Sequence, residues 1–441
     1  MIAMRVSVVT VLLAAACGGS SVEPDAPGFG GAVPDAVTDT VPAAPVVSLP
    51  KEALDPSEVA VVINDADPQS VAVGEYYRER RGIPAGNVVH LDFSTGDVLD
   101  PTEFATVKAD LDAALDSDIQ ALALTWALPY RVGCMSVTSA FALGFSTSFC
   151  STPCNPTAAV ALYDSDTAQP FTDLGIRPAM ALASASEEDA FALIDRGIAS
   201  DGTFPTGDGY LVRTTDVARS VRWPEFIETV ALFSHEGGLD LTYVDNSAGG
   251  GSDVISGTGD VLFYFTGLAM VPEIDTNTYL PGAVADHLTS YGGQIPTGGQ
   301  MSVQDWLTAG ATASFGTVVE PCNYPTKFPD TTVMLPRYFR GATVIEAYWK
   351  SVQWPGEGLF VGEPLARPWG GSTVSFDAAT LTLTIETNFL DPNRDYELQA
   401  ADAAEGPYEA VLGPISVPEY RRTTIDLDNA TAPFYRLVER E

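Results

Sequence analysis

The residues best suited to chemistry lie between Asp260 and Cys322. The chain has three histidines, and His287 stands in this segment as a candidate general base. Asp286 precedes it, Ser290 follows three residues later, and Glu320 closes the next apolar run. A histidine with two carboxylates and a hydroxyl could serve acid–base hydrolysis, or metal-assisted hydrolysis with a divalent cation on the carboxylates. No other cofactor is expected. Alternate residues of a strand face opposite ways, so Asp286 shares a face with Ser290, and His287 with Thr289 and Tyr291. A Ser-His dyad therefore needs a bend at Gly292-Gly293, or a serine from elsewhere. Thr266, Thr289 and Ser290 would be hydroxyls at the same rim, and Asp65 and Asp67 would add acids to it. Each residue also has a structural reading. His287 would be a hydrogen-bonded interior residue, Asp286 a cap of the following loop, and Glu320 a partner of Lys327 beside Cys322. Asp65 and Asp67 would serve a turn and a helix cap.

Other motifs carry less. His90 sits mid-strand among Val88, Val89 and Leu91, and His235 ends a helix, where a histidine suits the helix dipole. Gly249-Gly250-Gly251 lacks the Lys-Ser/Thr of a phosphate loop, the Ser-His-Glu-Gly-Gly run at 234–238 is not the zinc-protease His-Glu-x-x-His, and no Gly-x-Ser-x-Gly elbow occurs.

The elements that must position these residues alternate. Residues 58–64, 87–92, 119–126, 179–185, 209–214, 239–245 and the run opening at Asp260 read as strands, nearly all continuously apolar. Between them lie helices. The first is capped by Asp67-Pro68 and stopped at Gly82, with Arg78, Arg80 and Arg81 in its last turn. Others are predicted over 101–115, 187–198, about 217–233 and about 342–352. Apolar strands joined by helices predict an α/β fold, a mainly parallel sheet flanked by helices over residues 56–369. Sites in such sheets lie beyond the carboxyl ends of the strands. The aperiodic segment 127–178 reads as an insertion over that rim. Residues 371–441 change texture to short alternating strands, predicting a small C-terminal β-sandwich of immunoglobulin or fibronectin type.

With 22 Lys and Arg against 58 Asp and Glu, the net charge is −36, which excludes bulk electrostatic binding of nucleic acid or anionic lipid. At the N-terminus, Val6 to Ala16 is apolar, too short to span a bilayer but suited to a secretory signal. Leu13-Ala14-Ala15-Ala16-Cys17 resembles a bacterial lipobox. By that resemblance residues 1–16 are a lipoprotein signal peptide and Cys17 carries the lipid. The expected partner is thus the membrane of the cell envelope, probed through that anchor, with the outer membrane the expected address. Residues 17–55 read as a disordered tether. Four further cysteines, Cys134, Cys150, Cys154 and Cys322, predict two disulfides in an exported chain. Cys134 and Cys322 each follow a strand, which favours Cys134–Cys322 with Cys150–Cys154. A four-thiolate zinc site is the other reading.

The blocks LTWALPYRV, FYFTGLAMVPEIDTNTYLPGAVADHLTSYGG and WLTAGATASFGTVVEPCNYPTKFP resemble an uncharacterised family of exported bacterial proteins, over residues 56–369. A more distant resemblance is to gingipain-type cysteine peptidases, which implies a caspase-like fold. In those enzymes a strand ends in Gly-His-Gly and the next in the catalytic cysteine. Here Thr266-Gly267-Leu268 and Ser290-Tyr291-Gly292 stand at those places, and Gly362-Glu363-Pro364 matches their later Gly-Asp-Pro. The resemblance thus implies the frame without its cysteine-peptidase chemistry. The function expected is a binding or surface-assembly protein of the cell envelope. The alternative is a hydrolase using His287 with Asp286, Ser290 or Glu320.

Overall fold

A computed structural model describes residues 43–151 and 154–440. The expected signal segment, Cys17 and most of the tether lie outside the described residues. Within the segment 17–55 expected to be disordered, Val46–Ser48 is instead a strand pairing in parallel with Phe434–Glu439. The described residues belong to one compact unit.

Ten strands build the main sheet. In chain order they are β1 (Val59–Asn64), β2 (Val88–Leu91), β3 (Ala121–Leu124), β4 (Ala179–Ala181), β5 (Asp208–Arg213), β6 (Asp240–Asp245), β7 (Val261–Thr266), β8 (Tyr279–His287), β9 (Ala313–Thr317) and β10 (Gly358–Gly362). Their order across the sheet is β6-β5-β7-β8-β9-β10-β4-β3-β1-β2. Eight of the nine junctions are parallel. The ninth, β9 against β10, is antiparallel. The sheet is therefore parallel-rich but consists of two five-strand halves running in opposite directions.

That one junction corrects the expectation of a single rim. The strands β1 to β4 and β10 end on one border, and β5 to β9 end on the other. Asp65 and Asp67 follow β1, so they sit on the border opposite the ends of β8 and β9. Both halves are threaded alike. From each outer edge inward the order is second, first, third, fourth strand, β2-β1-β3-β4 and β6-β5-β7-β8. The turn after the first strand repeats as well: the Asn64 N–H donates to Ser70 Oγ at 2.9 Å, and the Thr214 N–H to Ser220 Oγ at 2.9 Å.

Helices cover the sheet because its strands are buried on both faces; β1, β3, β7 and β9 have every residue buried. They are α1 (Pro68–Arg81), α2 (Pro101–Ala114), α3 (Val137–Leu143), α4 (Pro170–Leu174), α5 (Glu187–Ser200), α6 (Trp223–Leu232), α7 (Val303–Ala309), α8 (Thr331–Phe339) and α9 (Val344–Ser351). In α1, Asp67 accepts from the Gln69 N–H, Pro68 opens the helix and Gly82 closes it in the left-handed region at φ 66°, as its residue types require. The helix expected from about 217 begins only at Trp223. Pro224 has no N–H and clashes with the carbonyl four residues earlier, so 217–222 form a turn that carries Arg219 and Arg222. No helix among the described residues is long and apolar enough to cross a membrane.

After β10 the chain makes two small sheets. One joins Thr373–Asp377, Thr382–Thr387 and Thr423–Leu427; the other joins Tyr396–Ala401, Glu409–Ile415, Phe434–Glu439 and Val46–Ser48. They share an apolar cluster containing Leu383, Ile385, Tyr396, Leu398, Ile425 and Leu437.

Candidate functional site

The strand β8 presents Asp286 and His287 to opposite faces, as its period of two demands. His287 is 1% exposed. Its Nδ1 accepts from Trp306 Nε1 at 2.9 Å, so the ring proton is on Nε2, which donates to the Met301 carbonyl at 3.2 Å. Burial pushes its pKa down to about 4, against a smaller upward pull from the Met301 carbonyl. The imidazole is therefore neutral near pH 7 and joins β8 to α7, the interior reading of this residue. It does not open onto a cavity with Ser290 or Glu320. Trp306, whose helix α7 begins in a Ser302–Asp305 capping box, is the partner that sequence reasoning missed; an aromatic donor in the helix after β8 was the available signal.

Asp286 does not cap the following loop. It accepts from Arg222 Nη2 at 2.6 Å, and both side chains are 1% exposed. Arg222 also donates to the Thr266 carbonyl at 3.0 Å and the Pro329 carbonyl at 3.3 Å. Burial pushes the Asp286 carboxyl up, and the Arg222 guanidinium pulls it back toward the charged form. Asp286 Oδ2, Arg222 Nε and the hydroxyls of Thr266 and Tyr348 have no hydrogen-bond partner among the described residues. This ion pair is buried, and neither residue lines the rim cavity.

The rim at the ends of β8 and β9 does bring two of the four candidates together. Ser290 and Glu320 line one cavity of about 310 Å³ with Arg219, Thr289 and Cys322. Arg219 Nε donates to Thr289 Oγ1 at 3.2 Å, and its Nη1 pairs with Asp216 at 2.7 Å. Glu320 Oε1 accepts from the Cys322 N–H at 2.9 Å, fixing a tight bend where Cys322 takes φ 56°. Glu320 is not paired with Lys327, contrary to expectation. Lys327 is buried and donates to Glu357 at 2.8 Å and to Ser151 Oγ at 2.6 Å. Among the described residues no group of three or more His, Cys, Asp or Glu could hold a metal ion. The divalent cation weighed for Asp286, His287 and Glu320 has no joint site in this geometry.

The four cysteines form two disulfides, but as Cys134–Cys150 and Cys154–Cys322. The expected pairing rested on Cys134 and Cys322 each following a strand, which does not fix which thiols come within bonding distance. Cys134 lies ten residues past Leu124, the end of β3, and Ser136 just beyond it bonds the Gly358 carbonyl at the start of β10. Cys134 is instead reached by the turn at Thr147–Phe149 that follows α3. The remaining histidines are peripheral. His90 is not interior: its Nδ1 meets Asp65 at 2.7 Å with both side chains well exposed, because β2 is an edge strand. His235 ends near Glu419 at 3.7 Å.

Beside the sealed pair, Glu225 on α6 is a titratable group that sequence reasoning did not single out. Its Oε2 has no partner among the described residues. Burial, then the nearby Asp330 carboxylate, push its pKa up to about 8, while Arg222 opposes them. The folded state thus holds a proton that the unfolded state releases above about pH 4.3. Stability from this group is full below that pH and is lost as pH rises toward about 8. Glu225→Gln should therefore be more stable than the parent by up to about 5 kcal/mol at pH 9, with the gain vanishing near pH 4. Urea unfolding at the two pH values measures it, and an equal difference at both would sink the assignment.

No known family profile matches the chain, and no curated protein matches it. Among solved structures the chain is similar to the crystal structure of the Arg specific cysteine proteinase gingipain R. The two are 9% identical with a TM-score of 0.40, over 87% of this chain and 99% of that one. The similarity is one of fold, and distant.

Proposed function

We propose that this is an exported, lipid-anchored protein of the bacterial cell envelope that binds a polar ligand or partner rather than cleaving one. In this reading the main domain is a caspase-like α/β frame, residues 371–441 are an immunoglobulin- or fibronectin-like β-sandwich, and Cys17 carries the anchor. One observation carries it. Cys134, Cys150, Cys154 and Cys322 are tied into disulfides, and the imidazole of His287 spends both nitrogens inside the core. A thiol nucleophile needs a thiolate and a base, and neither reaches the rim. The two disulfides also favour an oxidising compartment outside the cytoplasm. What opens at the rim is a cavity of mixed lining, with Ala218, Leu288 and Pro321 beside the polar groups; in it Arg219 offers donors, Glu320 an acceptor, and Thr289 and Ser290 hydroxyls. That pattern suits a ligand presenting both charges, such as a peptide segment, held without a covalent step.

The hydrolase alternative keeps Ser290 and Glu320, which share that cavity, but without His287 the serine has no base to activate it. A single mass-spectrometric experiment on the mature protein separates the readings. After treatment with a fluorophosphonate and with iodoacetamide, the expected product carries lipid on Cys17 and no adduct elsewhere. A fluorophosphonate adduct on Ser290, or an alkylated cysteine among the other four, overturns the binding reading. An unlipidated Cys17 removes the anchor.

A further inference from the structure

Cations are scarce in this chain, 22 against 58 acids. Five of them nevertheless line one cavity of about 130 Å³: Lys51, Arg337, Arg340, Lys350 and Arg394. The carboxylates on its wall are Glu52, Asp166 and Glu439. Each is already engaged by an arginine. Arg394 takes Glu439 at 2.6 Å and also holds Asp166. Arg337 takes Asp166 at 3.3 Å, and Arg367 takes Glu52 at 3.1 Å. Lys51 is paired away with Glu58, and Arg340 with Asp391 at 2.8 Å.

Lys350 differs from the rest. It is 6% exposed, and its ammonium donates to the Thr167 carbonyl at 2.7 Å and to no other described residue. An ammonium has three donors, and a buried charge is costly unless paired. Burial holds its pKa below the usual lysine range; Glu346 opposes that, and Arg337 and Arg340 reinforce it. Arg340 Nη2 and Arg394 Nε likewise make no hydrogen bond among the described residues, their bonds running through other nitrogens.

We propose that this cavity, where α8 and α9 meet Lys51 and the C-terminal strands, binds a small free oxyanion of the phosphate, sulfate or carboxylate type, held by Lys350 with Arg340 and Arg394. An oxyanion supplies several acceptors to donors arriving from separate elements, and such charge-assisted bonds are the strong ones. The cavity has room for a few heavy atoms, not for a chain. A lipid headgroup is disfavoured because a chain of charge −36 is repelled by an anionic surface. Occupancy would tie the main sheet's helices to the two small sheets. The site is on a different part of the chain from the rim cavity and stands or falls separately from it.

The test uses the full chain in low-salt chloride buffer, titrated calorimetrically with inorganic phosphate, sulfate and acetate. The expected result is saturable binding of at least one of them at one site per chain, with a matching rise in Tm. Lys350→Met should weaken it about tenfold or more, the worth of one charge-assisted bond, while Lys350→Arg retains most of it. Arg394→Gln, at a partly exposed position, should weaken it while leaving the fold intact. No saturable heat with any of the three anions overturns the proposal, as does equal affinity in the parent and both Lys350→Met and Arg394→Gln. Lys350-dependent sedimentation with phosphatidylglycerol vesicles, without binding of free anions, overturns the free-ion form.

Discussion

Replacing Cys154 and Cys322 together by serine should cost the folded protein about 5 kcal/mol in the chain-entropy account of cross-links. The two residues are 168 apart in sequence, so the reduced chain gains a large closed loop's worth of freedom when it unfolds. The other bridge spans 16 residues, and its removal should cost about 3 kcal/mol by the same account. The ordering is the sharper part of the expectation, since measured disulfide effects often fall short of the entropic figure. The long bridge also has a local role. Cys322 lines the rim cavity with Ser290 and Glu320, and its N–H is held by Glu320. Its loss should therefore raise amide exchange at 318–323 in the folded state, before global unfolding. Urea midpoints of the two double-serine variants, read with their m-values, decide the matter. A Cys134/Cys150 variant less stable than the Cys154/Cys322 variant would show that loop length is not what these bridges act through.

How far these features could be read from residues alone divides along physical lines. Local chemistry was legible. Asp67-Pro68 and Gly82 bound α1 because a capping carboxylate, a residue without an N–H and a residue free to take positive φ act over a few positions. The apolar runs of β1, β3 and β7 were legible because burial on both faces leaves no polar alternation. Strand direction was not. β10 is as apolar as its neighbours, and nothing in Gly358–Gly362 says that it lies antiparallel to β9. One reversed junction then moved Asp65 and Asp67 to the far border. Pro336 hid α8, since a proline inside a short segment reads as a break. Val46–Ser48 pairs with a strand nearly four hundred residues later, beyond any local signal. The site failed for a related reason. His287 and Asp286 end a strand buried on both sides, and a charged residue there needs a counter-charge from another element. That requirement was readable; which arginine meets it was not.

Asp286→Ala should therefore be among the most damaging single changes in the chain, costing about 3–5 kcal/mol, because it leaves the buried guanidinium of Arg222 without its counter-charge. Removing both partners should behave differently. The pair is imperfectly satisfied, with Asp286 Oδ2 and Arg222 Nε lacking partners among the described residues. Each buried group left unsatisfied costs about 1–3 kcal/mol. A well-packed apolar pair spares that cost, so Arg222→Met with Asp286→Leu should recover most of the loss and reach the parent's stability to within about 1–2 kcal/mol. The neighbouring Glu225 adds a check on the electrostatic origin. Arg222 draws the Glu225 pKa down against its burial, so Arg222→Met alone should raise it further and extend the loss of stability to higher pH. In the Asp286→Ala variant the freed guanidinium can turn to Glu225, which makes that loss smaller at pH 9 than at pH 5. A thermodynamic cycle over the four proteins at both pH values measures the coupling. If the double variant is as unstable as the sum of the singles, the pair is held by packing and not by charge, and Asp286 must be given another role.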